Sequence, residues 1–273
     1  MCMTLQPAEL SNTKLYVGEA RRGDTYVHVM AYQNKAATAG PNAMILPIPA
    51  AKMPGPENVI DTRDFRHFLD DLQEVAQLSG PMVFGALDDE EEAQVFAVGS
   101  YTVVLAEKAA AIERALGRLP ENQRPSLNAD ILHAFEQLYE GWPLAVCCWD
   151  GSIEAEPLLW WYEPKMPDVL FAPALDAHDG GPPDINRMVM VDHSIVFGSA
   201  LDRSVKSRVS YRDKARIPPS VLELLPTTVR GTMVTEELQN GDFWCPTNAR
   251  SGMMLRRAPG ATKPSDWIPL TVL

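Results

Sequence analysis

The chain has 273 residues, 46% of them hydrophobic and 22% charged, and a formal net charge of −12: a globular composition, long enough to bury a large core. That charge has the wrong sign for a protein that neutralises nucleic-acid phosphates or anionic lipid, and Arg21-Arg22 and Arg256-Arg257 are isolated pairs, not a basic stripe. No apolar run is long enough to span a membrane and no signal-peptide pattern opens the chain, so the expectation is a soluble, cytoplasmic protein.

The four cysteines, Cys2, Cys147, Cys148 and Cys245, show no CxxC spacing, which argues against a usual zinc site and for buried thiols in a reducing compartment. The 23 prolines fall between apolar runs and favour many short elements joined by rigid turns.

In chain order, Leu15-Tyr16-Val17 marks a first strand, and Gly23-Asp24 is a turn. Thr25 to Gln33 alternates as a strand, with Val27, Val29 and Ala31 on one face and Tyr26, His28, Met30 and Tyr32 on the other. Asn42 to Pro49 is a more apolar strand that Pro47 and Pro49 fray or end. Asp61 to Leu78 has helical spacing through Phe65, Phe68, Leu69, Leu72 and Val75, with Asp61 or Thr62 as cap. A strand is expected over Met82 to Leu87, then a solvated acidic loop, Asp88 to Glu92. Gln94 to Ala106 reads as a strand or strand pair bent at Gly99-Ser100. Helices follow over Glu107 to Leu119 and from Pro125-Ser126 to Gly141.

WPLAVCCWD, the Asp150-Gly151 turn and PLLWWYE then read as a hairpin. Val169 to Ser199 reads as strand, polar loop, strand, the second strand apolar over Met188 to Val191 and again to Phe197, broken by Asp192, His193 and Ser194. A basic linker and a short helix at Pro218-Pro219 follow, then short strands around turns at Gly231, Asn240-Gly241 and Pro259-Gly260.

Strands outnumber helices without alternating one to one. The expected class is α+β, with strand-rich mixed or antiparallel sheet layers and three to four helices packed on them, not a doubly wound fold. Residues 1–200 form the main domain and 201–273 a strand-rich extension on the same core. No GxGxxG or GxxxxGK[ST] occurs, and no cofactor is assigned.

Several features in this order resemble a bacterial domain family of unknown function. They are the early Cys2, Ile45-Leu46-Pro47-Ile48-Pro49-Ala50, an Asp and a helix, Val98-Gly99-Ser100-Tyr101, a helix pair leading to Gly141-Trp142, Pro157-Leu158 and Asp192-His193. The resemblance covers roughly residues 1–200 and implies an order of elements, without a mechanism. Its members are usually exported or membrane-attached, a segment this chain does not show.

Three groups carry candidate chemistry. Asp176, His178 and Asp179 on one loop, with Asp192 and His193 on the next strand, offer oxygen and imidazole donors for a ligand, for acid/base work or for a divalent ion. The spacing is neither HExxH nor an EF-hand, and turns with solvated acids plus a hydrogen-bonded His explain it more simply, so no metal is assigned. Cys2, if Met1 is removed, carries a thiol and an α-amino group together, the arrangement of N-terminal nucleophile hydrolases; the plainer reading is a frayed terminal thiol. Trp142, Trp149, Trp160, Trp161 and Tyr162 can stack on sugars or bases but are more simply cross-strand core pairs.

With no GxSxG and no strong catalytic motif, the preferred reading is a binding or protein-interaction domain for an unknown protein or small-molecule ligand. The alternatives are a hydrolase using Cys2 or the Asp/His site, and a structural subunit of an assembly, for instance a homo-oligomer.

Overall fold

The computed structural model describes residues 3–77, 95–201, 217–226, 228–247, 254–257 and 268–270. The expected segments over Met82–Leu87, Asp88–Glu92, the basic linker and the Pro259-Gly260 turn lie outside the described residues.

The organising unit is a long hairpin. Strands β2 (Glu9–Arg22) and β3 (Thr25–Ala37) pair antiparallel, with Arg22 opposite Thr25 across Gly23-Asp24. Gly23 has φ +59°, the left-handed value a two-residue primed turn needs at its first central position. The register shifts between Ser11 and Lys14, a bulge where Asn12 also takes a positive φ of 52°. Around this hairpin a sheet forms in the order β13 (Thr228–Val234), β12 (His193–Ser199), β2, β3, β8 (Ser152–Glu154), with β9 (Leu158–Tyr162) also beside β3. β12 runs parallel to β2; the other pairs are antiparallel.

A second sheet has the order β1 (Met3–Thr4), β4 (Asn42–Pro47), β7 (Leu144–Trp149), β6 (Tyr101–Ala106), β5 (Val95–Val98), all antiparallel. The two sheets share a core. Leu15, Val17, Met30 and Tyr32 from the first meet Met44, Leu46, Val103, Ala145, Cys147 and Trp149 from the second. The outer face of the first sheet (Val27, Val29, Ala31, Val196) is covered by α1 (Phe68–Gln77) and α4 (Pro219–Leu222). The outer face of the second (Ala43, Ile45, Val146, Cys148) is covered by α2 (Ile112–Leu116) and α3 (Ala129–Leu138). The layers are therefore helix, sheet, sheet, helix, and the class is α+β. Strands buried on both faces lose their polar alternation, which is why LAVCCW in β7 is apolar throughout and both adjacent cysteines are buried.

A third sheet, β10 (Val169–Ala172), β15 (Asp242–Pro246), β16 (Met254–Arg257) and β17 (Ile268–Leu270), caps one end. Its Phe171 and Trp244 pack rings 4.7 Å apart and meet Trp142 and Tyr139 beneath α3. A two-stranded ribbon, β11 (Met188–Met190) with β14 (Glu237–Gln239), completes the strands.

The faces expected for Thr25 to Gln33 hold, and the strand continues to Ala37. Several readings need correction. The helix expected over Asp61 to Leu78 is a 3-10 turn at Arg63–Phe65 followed by α1, and that over Glu107 to Leu119 is a 3-10 turn at Ala109–Ala111 followed by α2. The hairpin expected around Asp150-Gly151 does not form: β7 belongs to the second sheet and β9 to the first, so the turn carries the chain between layers. Two apolar runs joined by a turn match a layer crossing as well as a hairpin, because both bury the same residues. Gly231 sits inside β13 opposite Val196, not in a turn. The strand expected over Met188 to Phe197 is two strands in two sheets.

Candidate functional site

The loop after β10 is built from clamps. Asp242, fully buried at the start of β15, accepts hydrogen bonds from the Ala174 and Leu175 amides (2.8 and 3.0 Å) and from the Tyr139 hydroxyl (2.7 Å). The buried Asn240 amide accepts from the Asp176 N–H at 2.8 Å and donates to the carbonyls of Asp176 and Asp184 at 2.7 and 3.1 Å. Asp179 and Asp184 each cap their own turn two residues on, at Gly181 and Asn186. Most polar groups of this loop thus hold backbone in place.

Two side chains are left over. Asp176 lies with its Oδ1 3.7 Å from Nδ1 of His178, beyond hydrogen-bond reach. Nδ1 of His178 is buried, without a hydrogen-bond partner among the described residues. Burial raises the Asp176 carboxyl above the ordinary carboxylate range, while His178 and Arg187 nearby pull it back. The N-terminal strand runs alongside. Met3 bridges Ala177 in parallel register, the Thr4 N–H donates to the Ala177 carbonyl at 2.9 Å, and the Ala8 N–H to that of His178 at 2.9 Å. Cys2 itself lies outside the described residues.

Asp192 and His193 belong to a different structural event. The β11–β14 ribbon runs on, through the Val191 N–H to the Glu236 carbonyl at 2.9 Å, into the β12–β13 pair. Asp192 is the residue at which the strand leaves the ribbon and joins the main sheet. His193 opens β12 opposite Thr13, only 1% exposed, with its Nδ1 3.3 Å from Oδ1 of Asp192. Among the described residues, no three His, Cys, Asp or Glu side chains are gathered closely enough to share a metal ion.

The aromatic group is core. Trp160 and Tyr162 face the space between the sheets, and Trp149 meets Tyr101 edge-on at 6.1 Å. Trp161 turns outward beneath the Arg22 guanidinium, 4.6 Å from its ring centre. The thiol of Cys148 is pushed up to about 12 by burial, which removes it as a nucleophile.

One polar network was not anticipated. Glu19 and His28 face each other across the hairpin. The Tyr26 hydroxyl donates to Glu19 (3.0 Å) and lies 3.3 Å from Nε2 of His28, and Ser199 donates to the other Glu19 oxygen at 2.8 Å. The Pro167 carbonyl lies 3.1 Å from the Tyr26 hydroxyl and 3.3 Å from Nε2 of His28. Burial and then the Glu19 carboxylate raise Tyr26, and burial lowers His28 to about 4. The sequence held a signal for this network: with Gly23-Asp24 as a two-residue turn, counting outward places Glu19 opposite His28.

Two cavities bounded by described residues hold about 10 Å³ each. One is apolar, between the sheets and lined by Ile48, Val59, Leu105 and Trp160; the other lies by Tyr139 and Asp242. Each has room for about one water at most.

No family model and no curated protein matches the chain. Among solved structures it is similar to the crystal structure of baculovirus P35, with a TM-score of 0.47 and 10% identity over 100% of both chains. It is also similar to a mutated baculovirus P35 after caspase cleavage, with a TM-score of 0.43 and 11% identity over 91% of this chain and 94% of that one. At this level the likeness is one of outline, and no activity follows from it. No described helix is long and apolar enough to cross a membrane.

Proposed function

We propose that the chain is a binding or protein-interaction domain. The observation that carries this reading is the β11–β14 ribbon, which holds Met188 and Met190 at 50% and 62% exposure while Val189 between them is buried. Methionine is an adaptable apolar side chain suited to contact surfaces, and two of them on one short, firmly mounted strand form a concentrated exposed apolar feature.

The test compares the wild type with the double variant Met188→Lys/Met190→Lys as baits, with quantitative mass spectrometry of what each retains. A protein held by the wild type and lost by the variant is the expected result. Identical retention by both baits removes the reading.

A second reading, a hydrolase that uses the Cys2 thiol after loss of Met1, is favoured by one observation. Met3, the next residue, is bridged to Ala177, between Asp176 and His178, whose buried Nδ1 has no hydrogen-bond partner among the described residues. An imidazole in that place can take a thiol proton. Alkylation of Cys2 by iodoacetamide should then slow at least tenfold in His178→Ala. Retained Met1 in the mature protein, or an unchanged alkylation rate, ends it.

A further inference from the structure

We infer that β11 is an acceptor edge for strand addition, and that its occupant is an extended peptide with apolar residues at alternate positions and basic residues flanking them. The inference rests on the interaction reading above and adds the mode and the chemistry of the partner.

The backbone register carries it. The Asn240 N–H donates to the Arg187 carbonyl and the Val191 N–H to the Glu236 carbonyl, both at 2.9 Å, in the same register that sets Met188 opposite Gln239 and Met190 opposite Glu237. In an antiparallel ladder, residues alternate between those bonded to the partner strand and those whose N–H and C=O point the other way. Positions 187, 189 and 191 therefore bond toward β14, and the amides and carbonyls of Met188 and Met190 point outward. Among the described residues nothing pairs with them. An open row of donors and acceptors is a template for another strand.

The edge is also held ready. Its start is tied through Arg187 and Asp184 to Asn240, and its end runs into β12, an interior strand of the main sheet. A template ordered beforehand reduces the entropy lost on binding. A second edge strand in the molecule shows what protection looks like. β8 has the same length but carries exposed Ser152 and Glu154, the latter paired with Lys35 at 2.8 Å. Polar and charged side chains discourage edge pairing; β11 carries two exposed methionines in the equivalent places.

Charge selects the occupant. Asp184 and Asp192 flank β11 at either end, while the nearby Arg187 has its guanidinium 3.9 Å from Asp179. A second copy would be a chain of the same −12 net charge, whereas a basic segment complements the two aspartates.

The experiment is selection of a random twelve-residue displayed peptide library on the full chain, followed by titration of the enriched peptides against wild type, Met190→Pro and Met188→Lys/Met190→Lys. Proline at 190 removes an outward N–H that bonds to nothing described, so the fold should survive, as a melting curve checks. Expected are peptides with alternating apolar residues and Lys or Arg flanks, at least tenfold weaker on Met190→Pro. Methylating alternate peptide amides, which leaves the protein untouched, should weaken binding at least tenfold as well. Peptides that bind Met190→Pro and their methylated forms undiminished, yet are lost on the lysine variant, overturn strand addition and leave the interaction reading standing. No enrichment, or enrichment without basic flanks, overturns the inference. A wild-type dimer in light scattering that Met190→Pro abolishes assigns the edge to a second copy instead.

Discussion

Two apolar triplets sit a few residues apart on what reads as one strand: Met188-Val189-Met190 and Ile195-Val196-Phe197. The first is open, with both methionines at least half exposed; the second is buried, with Ile195 at 0% and Phe197 at 5%. Composition does not separate them, and neither does local conformation, since both are extended. They differ in neighbours. β12 has β13 on one side and β2 on the other, with a sheet packed on one face and α1 on the other, while among the described residues β11 pairs with β14 alone. An apolar run records a tendency to be covered, and the number of partners decides whether it is.

Four sets of substitutions test that contrast. The largest effect belongs to Ile195→Ala, which should cost about 4 kcal/mol in urea unfolding, because a central strand packed on both sides cannot close over the cavity; Met190→Ala in the same assay should cost little. Equal losses at the two positions would erase the distinction.

The second effect comes from His28, which shares the buried interior and whose partly satisfied ring is held at about 4, against 6.5 when unfolded. The unfolded chain therefore binds the proton more readily between those values. This contribution is fully present above about pH 6.5 and is lost as pH falls toward 4, on the order of 3 kcal/mol. Denaturant melts at neutral and acidic pH should show the loss, and His28→Phe should flatten it; a variant with the parent's slope would assign the acid sensitivity elsewhere.

Asn240→Ala comes third. It leaves the Asp176 amide and the Asp176 and Asp184 carbonyls without their side-chain partner, for about 2 kcal/mol. It should also speed amide exchange at Val189, coupling the clamp to the edge; unchanged exchange there would mean that the ribbon is held by other contacts. The smallest effect is expected from Met188→Lys/Met190→Lys, within about 0.5 kcal/mol of the parent. A large loss of melting temperature in that variant would show that the methionines are structural.

Much of the architecture can be read from residues alone. The alternation in Thr25 to Gln33 assigns each side chain its face, Gly23-Asp24 marks a tight turn, and Pro218-Pro219 opens a helix, because these depend on local backbone chemistry. The density of acids and histidines between Asp176 and His193 was equally visible, but its meaning was not. The clamps that use up most of the loop come from Asn240 and Asp242, more than fifty residues away, and Asp192-His193 marks a change of sheet. Residue order alone placed most of the extended and helical stretches, without their bounds, and assigned the apolar faces of the Thr25 to Gln33 strand. Tertiary structure decided which extended stretches lie at an edge, that Asp150-Gly151 crosses between layers, and that Met188 and Met190 face solvent. The physical reason is that burial and pairing belong to the set of neighbours, and those neighbours arrive from distant parts of the chain.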